Sequence, residues 1–474
     1  MGFIAHVAEN QPHSHNPKGH LQETARRAGN FGACPVAAPN DTALKTIKDH
    51  RKNVKERSLQ YTIEVVTPMF GGGVKAGVVD ESMPVRVTEI RGHLRFWWRM
   101  LYGANLDARA LFDAESRLWG NTDEPSKIDI SVEQITTDVT WRNRYDSPKF
   151  GFKDFGPELY ALYPAVQNAY ALRLLEEGYK FCIEFRFNNN LSERDRNAVI
   201  DSLKAWVFFG GIGARTRKGC GSLRFSSDEQ SEKEITELAK HGLTTDELKK
   251  WLSRLNSVGF YKNSQQNVLH SWANAIAVYK DFRQKEKFGR NPSRGRSLWP
   301  EADSLRKITG CASPRHREPL IKNTPAFPRA VMGLPMVFHF MQKEQRSKDT
   351  TQNEPKDCTV TPLVNGKEKE RMASPIITKP LLINGKWNPF ILILPFEDRL
   401  KMDVVVKWKL SDNEKEKNEI YGNEKVVGNQ VFFFHPMQNK ENAIESFIAY
   451  LKKHNWENAI PIKETVKSKE EQYA

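Results

Sequence analysis

Between Phe209 and Leu223 five glycines, Gly210, Gly211, Gly213, Gly219 and Gly221, fall within twelve residues, with Arg215, Arg217 and Lys218 among them. Glycine has no Cβ, so its backbone adopts positive φ and lets another group come close. Successive N–H groups in such turns form concavities that hold anions. Three cations beside that backbone point to phosphate as the ligand. The spacing is not the G-x-x-x-x-G-K-[ST] of a nucleotide-binding P-loop. A plain glycine turn with solvated charges is the competing reading, and glycines at this density weaken packing unless the geometry is needed.

A second candidate is Arg91-Gly92-His93-Leu94-Arg95-Phe96-Trp97-Trp98-Arg99. Thr88 to Tyr102 has helical spacing, which lines up Arg91, Arg95 and Arg99 at i, i+4 and i+8. Like charges four apart repel mildly, so the ridge calls for an anion, from a ligand or from carboxylates elsewhere in the fold. Leu94, Trp97, Trp98 and Leu101 can cover a sheet. The two tryptophans point about 100° apart, so one is expected in the core and the other against the inserted region or a neighbouring subunit. His93 beside the ridge is the best-placed base for metal-free RNA cleavage, which also needs an acid. No second histidine is near it in sequence, and a structural role or a passive RNA contact is the preferred reading.

The elements that must position these residues follow from periodicity. Leu59, Tyr61, Ile63 and Val65 alternate as a strand, ended by Gly71-Gly72-Gly73. Ile128 to Val132 and Phe181 to Phe187 are further strands. Ser192 caps a helix with Val199, Ile200, Leu203, Trp206 and Val207 on one face, and Ser222 to Phe225 closes the unit. The order is β-α-β-β-α-β, the ferredoxin-like or split βαβ unit, with 134–178 as an ordered insertion. The expected fold class is α+β, two ferredoxin-like (RRM-like, βαββαβ) domains with insertions. The domains expected are an N-terminal extension over 1–57, a first domain over 58–228 and a second α+β domain over 229–474. In that second part a helix spans Asn267 to Lys287, followed by a basic stretch over Arg283 to Arg296. Strands are expected at Met336 to Phe340, Ile376 to Leu382, Phe390 to Leu394 and Val404 to Trp408, and a last helix at Asn442 to Lys453. Residues 342–371 are polar and are expected to form a mobile loop.

Bulk properties agree with a polyanionic partner. The 474 residues carry 72 Lys plus Arg against 58 Asp plus Glu, a net charge of +14, which favours nucleic acid. With 39% hydrophobic and 10% aromatic residues a packed core is available. No apolar run is long enough to span a bilayer, and the start has no basic region followed by an apolar core, so no membrane partner and no secretory signal are expected. Cys34, Cys182, Cys220, Cys311 and Cys358 show no C-x-x-C spacing, which argues against a disulfide framework or a zinc knuckle and fits a reducing cytoplasm. His6, His13, His15 and His20 lie in a polar stretch and are not read as a metal site. Carboxylates show no metal-site spacing; Glu193 and Asp201 read as helix-surface residues. No cofactor is expected.

Four segments in order carry a family resemblance: Thr67-Pro68-Met69-Phe70-Gly71-Gly72-Gly73, then Ile90 to Arg99, then Leu118-Trp119-Gly120-Asn121, then the loop over 210–223. They resemble the RAMP superfamily of CRISPR proteins. The Leu94-Arg95-Phe96-Trp97-Trp98-Arg99 string, the triple glycine and Ala373-Ser374-Pro375-Ile376-Ile377 look like the first-subunit family of the Cmr complex, the type III-B effector. The resemblance covers 58–225 well and 325–395 loosely. It implies two ferredoxin-like domains and a place at the end of a multi-subunit ribonucleoprotein used in antiviral defence. Its partners would be the 3′ part of CRISPR RNA, target RNA and other Cmr-type subunits. The RNA-binding surface would comprise Arg91, Arg95, Arg99, Arg215, Arg217 and Lys218, shaped by Gly210, Gly211, Gly213, Gly219 and Gly221. The expectation is a binding subunit with no catalytic residue. The alternative is a metal-independent CRISPR RNA-processing endoribonuclease of the same superfamily, with His93 as its base. A membrane-associated or purely bridging module would explain the charge but not the glycine loop.

Overall fold

The computed structural model describes residues 58–71, 73, 80–143, 156–162, 173–188, 190–227, 231–263, 267–291, 296–321, 324–340, 354–409, 415–425 and 435–459. The extension over 1–57, the histidines in it, Cys34 and Gly72 lie outside these residues. Residues 58–474 cluster as one compact unit.

The first sheet is built from β1 (Ser58–Val65), β2 (Ile128–Gln134), β5 (Lys180–Phe187) and β6 (Leu223–Ser226), in the order β2-β5-β1-β6. A short ribbon, β3 (Trp141–Asn143) with β4 (Arg173–Leu175), stands in the insertion. All neighbours in the first sheet are antiparallel, with Ile63 opposite both Phe181 and Phe225 and Ile130 opposite Phe185. Period-two alternation puts Tyr61, Ile63, Val65, Phe181, Ile183 and Phe185 on the buried face. Among the described residues this half carries the helices α1 (Val87–Tyr102), α2 (Ala108–Trp119) and α3 (Glu193–Phe209). The Ser192 hydroxyl caps α3, as its position before the apolar periodicity predicts. The sequence reading passed over α2, although Asp107 marks its start by accepting from the Arg109 and Ala110 N–H groups.

Two short helices, α4 (Lys233–His241) and α5 (Thr245–Arg254), lead into the second half; Thr244 and Glu247 form a capping box at α5. There β7 (Val258–Tyr261) is followed by α6 (Val268–Gln284) and α7 (Glu301–Thr309). Next come β8 (Met336–Phe338), β9 (Cys358–Val364), β10 (Lys367–Glu368), β11 (Ile376–Ile383) and β12 (Lys386–Ile393). The remainder is β13 (Asp403–Trp408), β14 (Lys417–Tyr421), α8 (Ala443–Lys453) and β15 (Glu457–Asn458). The second sheet runs β11-β12-β7-β15, again antiparallel throughout. Its strands come in chain order β7, β11, β12, β15, so both four-stranded sheets have the spatial order second-third-first-fourth. A five-stranded sheet holds β8, β9, β10, β13 and β14.

The expected mobile loop over 342–371 is therefore wrong for its second part. Cys358–Val364 is a strand paired with both β8 and β13. Charged neighbours on both sides hide its short alternation of Cys358, Thr359, Val360 and Thr361 from a composition-based reading.

The second sheet is buried on both faces, and this joins the two halves. In β12, Phe390 and Leu392 belong to the same core as Phe209, Phe225, Trp251 and the first sheet, while Ile391 and Ile393 belong to a core with Phe282, Phe447 and Val404. A strand covered on both sides reads as a continuous apolar run, and Phe390-Ile391-Leu392-Ile393 does. The Phe209 and Phe390 rings lie 6.1 Å apart across the junction. Phe390→Ala should therefore cost about 3–5 kcal/mol and shift one unfolding transition for both halves. Tryptophan fluorescence and far-UV circular dichroism in denaturant check this; separate transitions for the two sheets would contradict the shared core.

Candidate nucleic-acid interface

Helix α1 buries Ile90, Leu94, Trp97 and Trp98, one face at i, i+4, i+7 and i+8. Both tryptophans are in the core: Trp97 lies 6.1 Å from the Phe209 ring and Trp98 stacks on Tyr102 at 6.5 Å. The arginine ridge turns toward α2. Arg95 Nε donates to Glu115 Oε1 at 2.6 Å, and Arg99 donates to both Glu115 oxygens at 2.9 Å. Arg91 donates to the Trp119 carbonyl, a free acceptor at the end of α2. Burial by itself would raise the Glu115 carboxyl, but the bonds from Arg99 and Arg95 hold it below its ordinary range. One carboxylate from elsewhere in the fold, Glu115, thus pairs with two of the three ridge arginines, and the Arg95 and Arg99 side chains still keep 34% and 43% of their surface in solvent. The Leu118-Trp119-Gly120-Asn121 segment has a conformational reason. Gly120 ends α2 at φ +75°, and a Cβ there would sit 2.6 Å from the Ser126 nitrogen.

The loop docks on another face of α1. Gly213 N donates to Glu89 Oε1 at 2.7 Å, and His93 Nε2 lies 3.7 Å from the same oxygen. The His93 ring stacks on Trp206, with centroids 5.8 Å apart and 16° between planes. Arg217 lies over the Phe96 ring at 5.3 Å. Residues 89, 93 and 96 face the loop while 91, 95 and 99 face α2, so ridge and loop do not share one helix face.

Most of the loop's polar backbone is engaged by the protein itself. Trp206 Nε1 donates to the Gly211 carbonyl at 2.9 Å. The Gly219 carbonyl accepts from Thr67 Oγ1 at 2.6 Å and from Ser222 Oγ at 3.0 Å, and Trp272 Nε1 of α6 donates to the Lys218 carbonyl at 2.7 Å. Gly213, Gly219 and Gly221 have φ of +82°, +76° and +60°, the positive values expected of this loop. A Cβ on Gly219 would meet the Thr378 carbonyl at 2.6 Å, and one on Gly221 the Ile212 carbonyl at 1.9 Å. The close approach that Gly219 allows is, in this structure, to β11 and α6, while Gly221 and Gly213 admit Ile212 and Met69 of the first half.

The cations split three ways. Arg215, exposed and itself at φ +61°, donates to the Ala161 carbonyl at 3.2 Å. Arg217 donates to the Ser374 carbonyl, inside the Ala373–Ile377 segment noted in the sequence. Burial, with Arg399 nearby, lowers the Arg217 guanidinium to about 10. Lys218 is buried with its Nζ 3.4 Å from the centre of the Tyr279 ring. That Nζ has no hydrogen-bond acceptor among the described residues. Burial, then Arg283, Arg215 and Arg217, push its ammonium well below the usual lysine range. The sequence reading missed Lys379 and Arg399. Lys379 Nζ reaches the Gly210 carbonyl at 2.9 Å and the Val207 carbonyl at 3.4 Å at the end of α3, and burial lowers it to about 7. Only a third-dimensional contact brings it there. Glu115 was findable, because the Asp107 cap and the apolar periodicity of α2 announce a helix.

Residues 62–224 match the family model of the RAMP superfamily, which runs from β1 to β6. The CRISPR system Cmr subunit Cmr1-1 of Pyrococcus furiosus is 27% identical over 200 residues, 42% of this chain and 53% of that protein. The chain thus spans about half the length of this curated relative. The crystal structure of Cmr1 from Pyrococcus furiosus in its apo form aligns with 85% of this chain and 98% of that chain, at 17% identity and a TM-score of 0.45. The RAMP resemblance read from the four segments is matched by the family model, and the likeness to a Cmr first subunit, read from Leu94 to Arg99, the triple glycine and Ala373 to Ile377, by the curated relative. No helix of the described residues is long and apolar enough to cross a membrane.

Two glycines test what the loop requires. Gly219→Ala should lose more than the ~1 kcal/mol of propensity, because φ and the Thr378 carbonyl both oppose it. Gly92→Ala, with no atom within 4 Å of its added methyl, should gain about 0.4–1 kcal/mol. Urea midpoints of the two variants decide; equal effects would leave the loop geometry without consequence. Lys379 gives a pH test. Its folded value, about 7, lies below the ordinary 10.5, so the unfolded chain binds more protons between them and stability rises with pH across that window. Above pH 10.0 the tyrosines held near 12 by burial, Tyr61 and Tyr179, oppose the rise. Lys379→Met should flatten the slope between about 7 and 10, measured by urea unfolding across that range.

Proposed function

We propose that this chain is an RNA-binding subunit of a cytoplasmic type III-B CRISPR ribonucleoprotein. In this reading it engages the 3′ part of CRISPR RNA, helps position target RNA and assembles with other Cmr-type subunits in antiviral defence. The observation that carries the reading is the RAMP match over 62–224, the segment that holds both the ridge and the glycine-rich loop, together with the likeness to a Cmr subunit. The net charge of +14 supports it. So does the solvent left to Arg95, Arg99 and Arg215, which are the members of the predicted surface an RNA backbone could reach first. Phosphate contacts of this kind fix position and register without reading sequence.

The same reading makes the two four-stranded sheets ferredoxin-like domains. Its support is their common strand order, with helices α1 and α2 or α6 and α7 after the first strand and α3 or α8 between the third and fourth. It also makes the protein non-catalytic. His93, the weak candidate base, is stacked on Trp206 and turned toward Glu89, so an attacking hydroxyl would compete with contacts that already hold its ring.

Purification from the native host with its bound nucleic acid tests the class: a small RNA with a common repeat-derived end is expected. For the isolated chain and single-stranded RNA, log K should fall with log salt by about 0.7 per phosphate neutralised. Both RNAs should stay intact with or without divalent metal. Salt-independent affinity would remove the phosphate-based reading. Cleavage lost in His93→Ala but not with chelator would replace it with the endoribonuclease.

A further inference from the structure

Two exposed loops of the second half concentrate positive charge. The first follows α6 and carries Lys285, Lys287 and Arg290; the second follows α7 and carries Arg315 and Arg317. All five residues are exposed, against two exposed carboxylates in the same loops, Glu286 and Glu318. Lys285 lies 3.7 Å from Asp281. Lys287, Arg290 and Arg317 form no ion pair among the described residues. One residue laces the loops together. The Arg296 carbonyl accepts from the Asn291 N–H at 2.9 Å, and the Arg296 guanidinium donates to the Glu318 carbonyl at 2.9 Å. Asn291 and Glu318 directly follow Arg290 and Arg317. The two cation-bearing loops are therefore no farther apart than one extended side chain and two hydrogen bonds.

Charged surface loops tend to be mobile, but these are fixed from below. Glu354 Oε1 accepts from the Ser313 N–H at 3.2 Å at one end of the second loop, and Asp303 Oδ2 from the Leu320 N–H at 2.8 Å at the other. In the first loop Phe288 turns its ring into the core, 4.7 Å from Tyr450, and the Lys287 N–H donates to the Arg290 carbonyl at 2.7 Å. The charge beneath is already balanced. Arg296 and Arg306 meet Asp303 and Glu354 at 2.8 to 2.9 Å, with none of the four side chains more than 10% exposed. Burial by itself would raise the Glu354 carboxyl, but bonds from Ser313, Arg306 and His316 hold it at about 2. Both buried carboxylates are thus committed to buried arginines and loop backbone, and the surplus cations face solvent.

We propose that these two laced loops form a second docking surface for the backbone of single-stranded RNA, with Lys287, Arg290 and Arg317 against its phosphates. The proposal rests on the RNA-binding reading above and adds a contact surface from the second half of the chain. Exposed cations bind a phosphate backbone by releasing its counter-ions, without reading its sequence. Loops fixed in advance lose little freedom when they bind. Helix α6 sets the distance to the first half. Trp272 near its start bonds the Lys218 carbonyl of the glycine-rich loop, and Gln284 at its end leads into the basic turn. Those twelve residues of helix span about 18 Å, which one strand of RNA can cross.

The test uses the full chain and a fluorescein-labelled single-stranded RNA. Arg290→Ala and Arg317→Ala should each lower the slope of log K against log salt by about 0.7 and weaken binding about fivefold at about 0.1 M salt. Arg290→Lys, which keeps the charge, should keep the parent slope. Lys386→Ala, which removes an exposed charge from the turn between β11 and β12, should bind as the parent does. A photo-reactive residue placed at position 287 should cross-link to the RNA, and one at position 386 should not. Melting temperatures confirm folding. If the parent binds RNA while the Arg290 and Arg317 variants match it and position 287 does not cross-link, the loops are not an RNA surface and the RNA-binding reading stands. An equal loss in Lys386→Ala would reduce the effect to net charge and overturn the proposal. Variants that keep RNA affinity but lose other subunits from the native complex would make the surface a protein-docking one, which also overturns it. If the parent binds no RNA, alone or in its native complex, both readings fall.

Discussion

No side chain fits between the Cα of Gly219 and the carbonyl of Thr378, and the arrangement of the two halves follows from that closeness. The loop carrying Gly219 is pinned from the first half by Thr67 and Ser222 and from the second by Trp272. Once it is seated, Phe209 at the end of α3 meets Phe390, and the second sheet acquires its second covered face. The same contact places a late segment, Ala373 to Ile377, beside the glycine-rich loop. Ser374 accepts from Arg217, and β11, which begins at Ile376, is the surface on which the loop lies.

The joint is also where cations are held away from water. Lys218 rests on the Tyr279 ring, Lys379 on carbonyls at the end of α3, and Arg217 on Phe96 and Ser374. None of the three has a carboxylate partner among the described residues. Burying charge without a counter-ion is costly, and each contact offsets part of the cost: a ring face attracts a cation, and the end of a helix presents free carbonyls to one. Contrast the ridge on α1, where Glu115 pairs with both Arg95 and Arg99. The two basic regions thus differ in kind: the ridge meets a carboxylate, while the cations of the joint meet ring faces and carbonyls.

Period-two and helical spacing were enough to place β1, β5, α1 and α3, because each buries one face against a core of its own half. The same reasoning found the glycines and their positive φ, since crowding of glycine has few other causes. It failed where an element's partner is far along the chain. Composition puts Cys358–Val364 inside a polar loop, although it is held between β8 and β13; nothing local distinguishes a short strand with charged flanks from a polar loop. Arg91, Arg95 and Arg99 were correctly put on one ridge, but the carboxylate that meets two of them lies on a helix the reading had passed over.

Amino-acid order alone therefore determined the chemistry on offer: a glycine turn with cations, an arginine ridge and a basic surplus. These are properties of neighbours along the chain, where backbone geometry fixes the spacing. Tertiary structure decided what each cation faces. Whether an arginine meets Glu115, a carbonyl, a ring or another arginine depends on which distant strand or helix packs beside it, and burial then sets the strength of that contact.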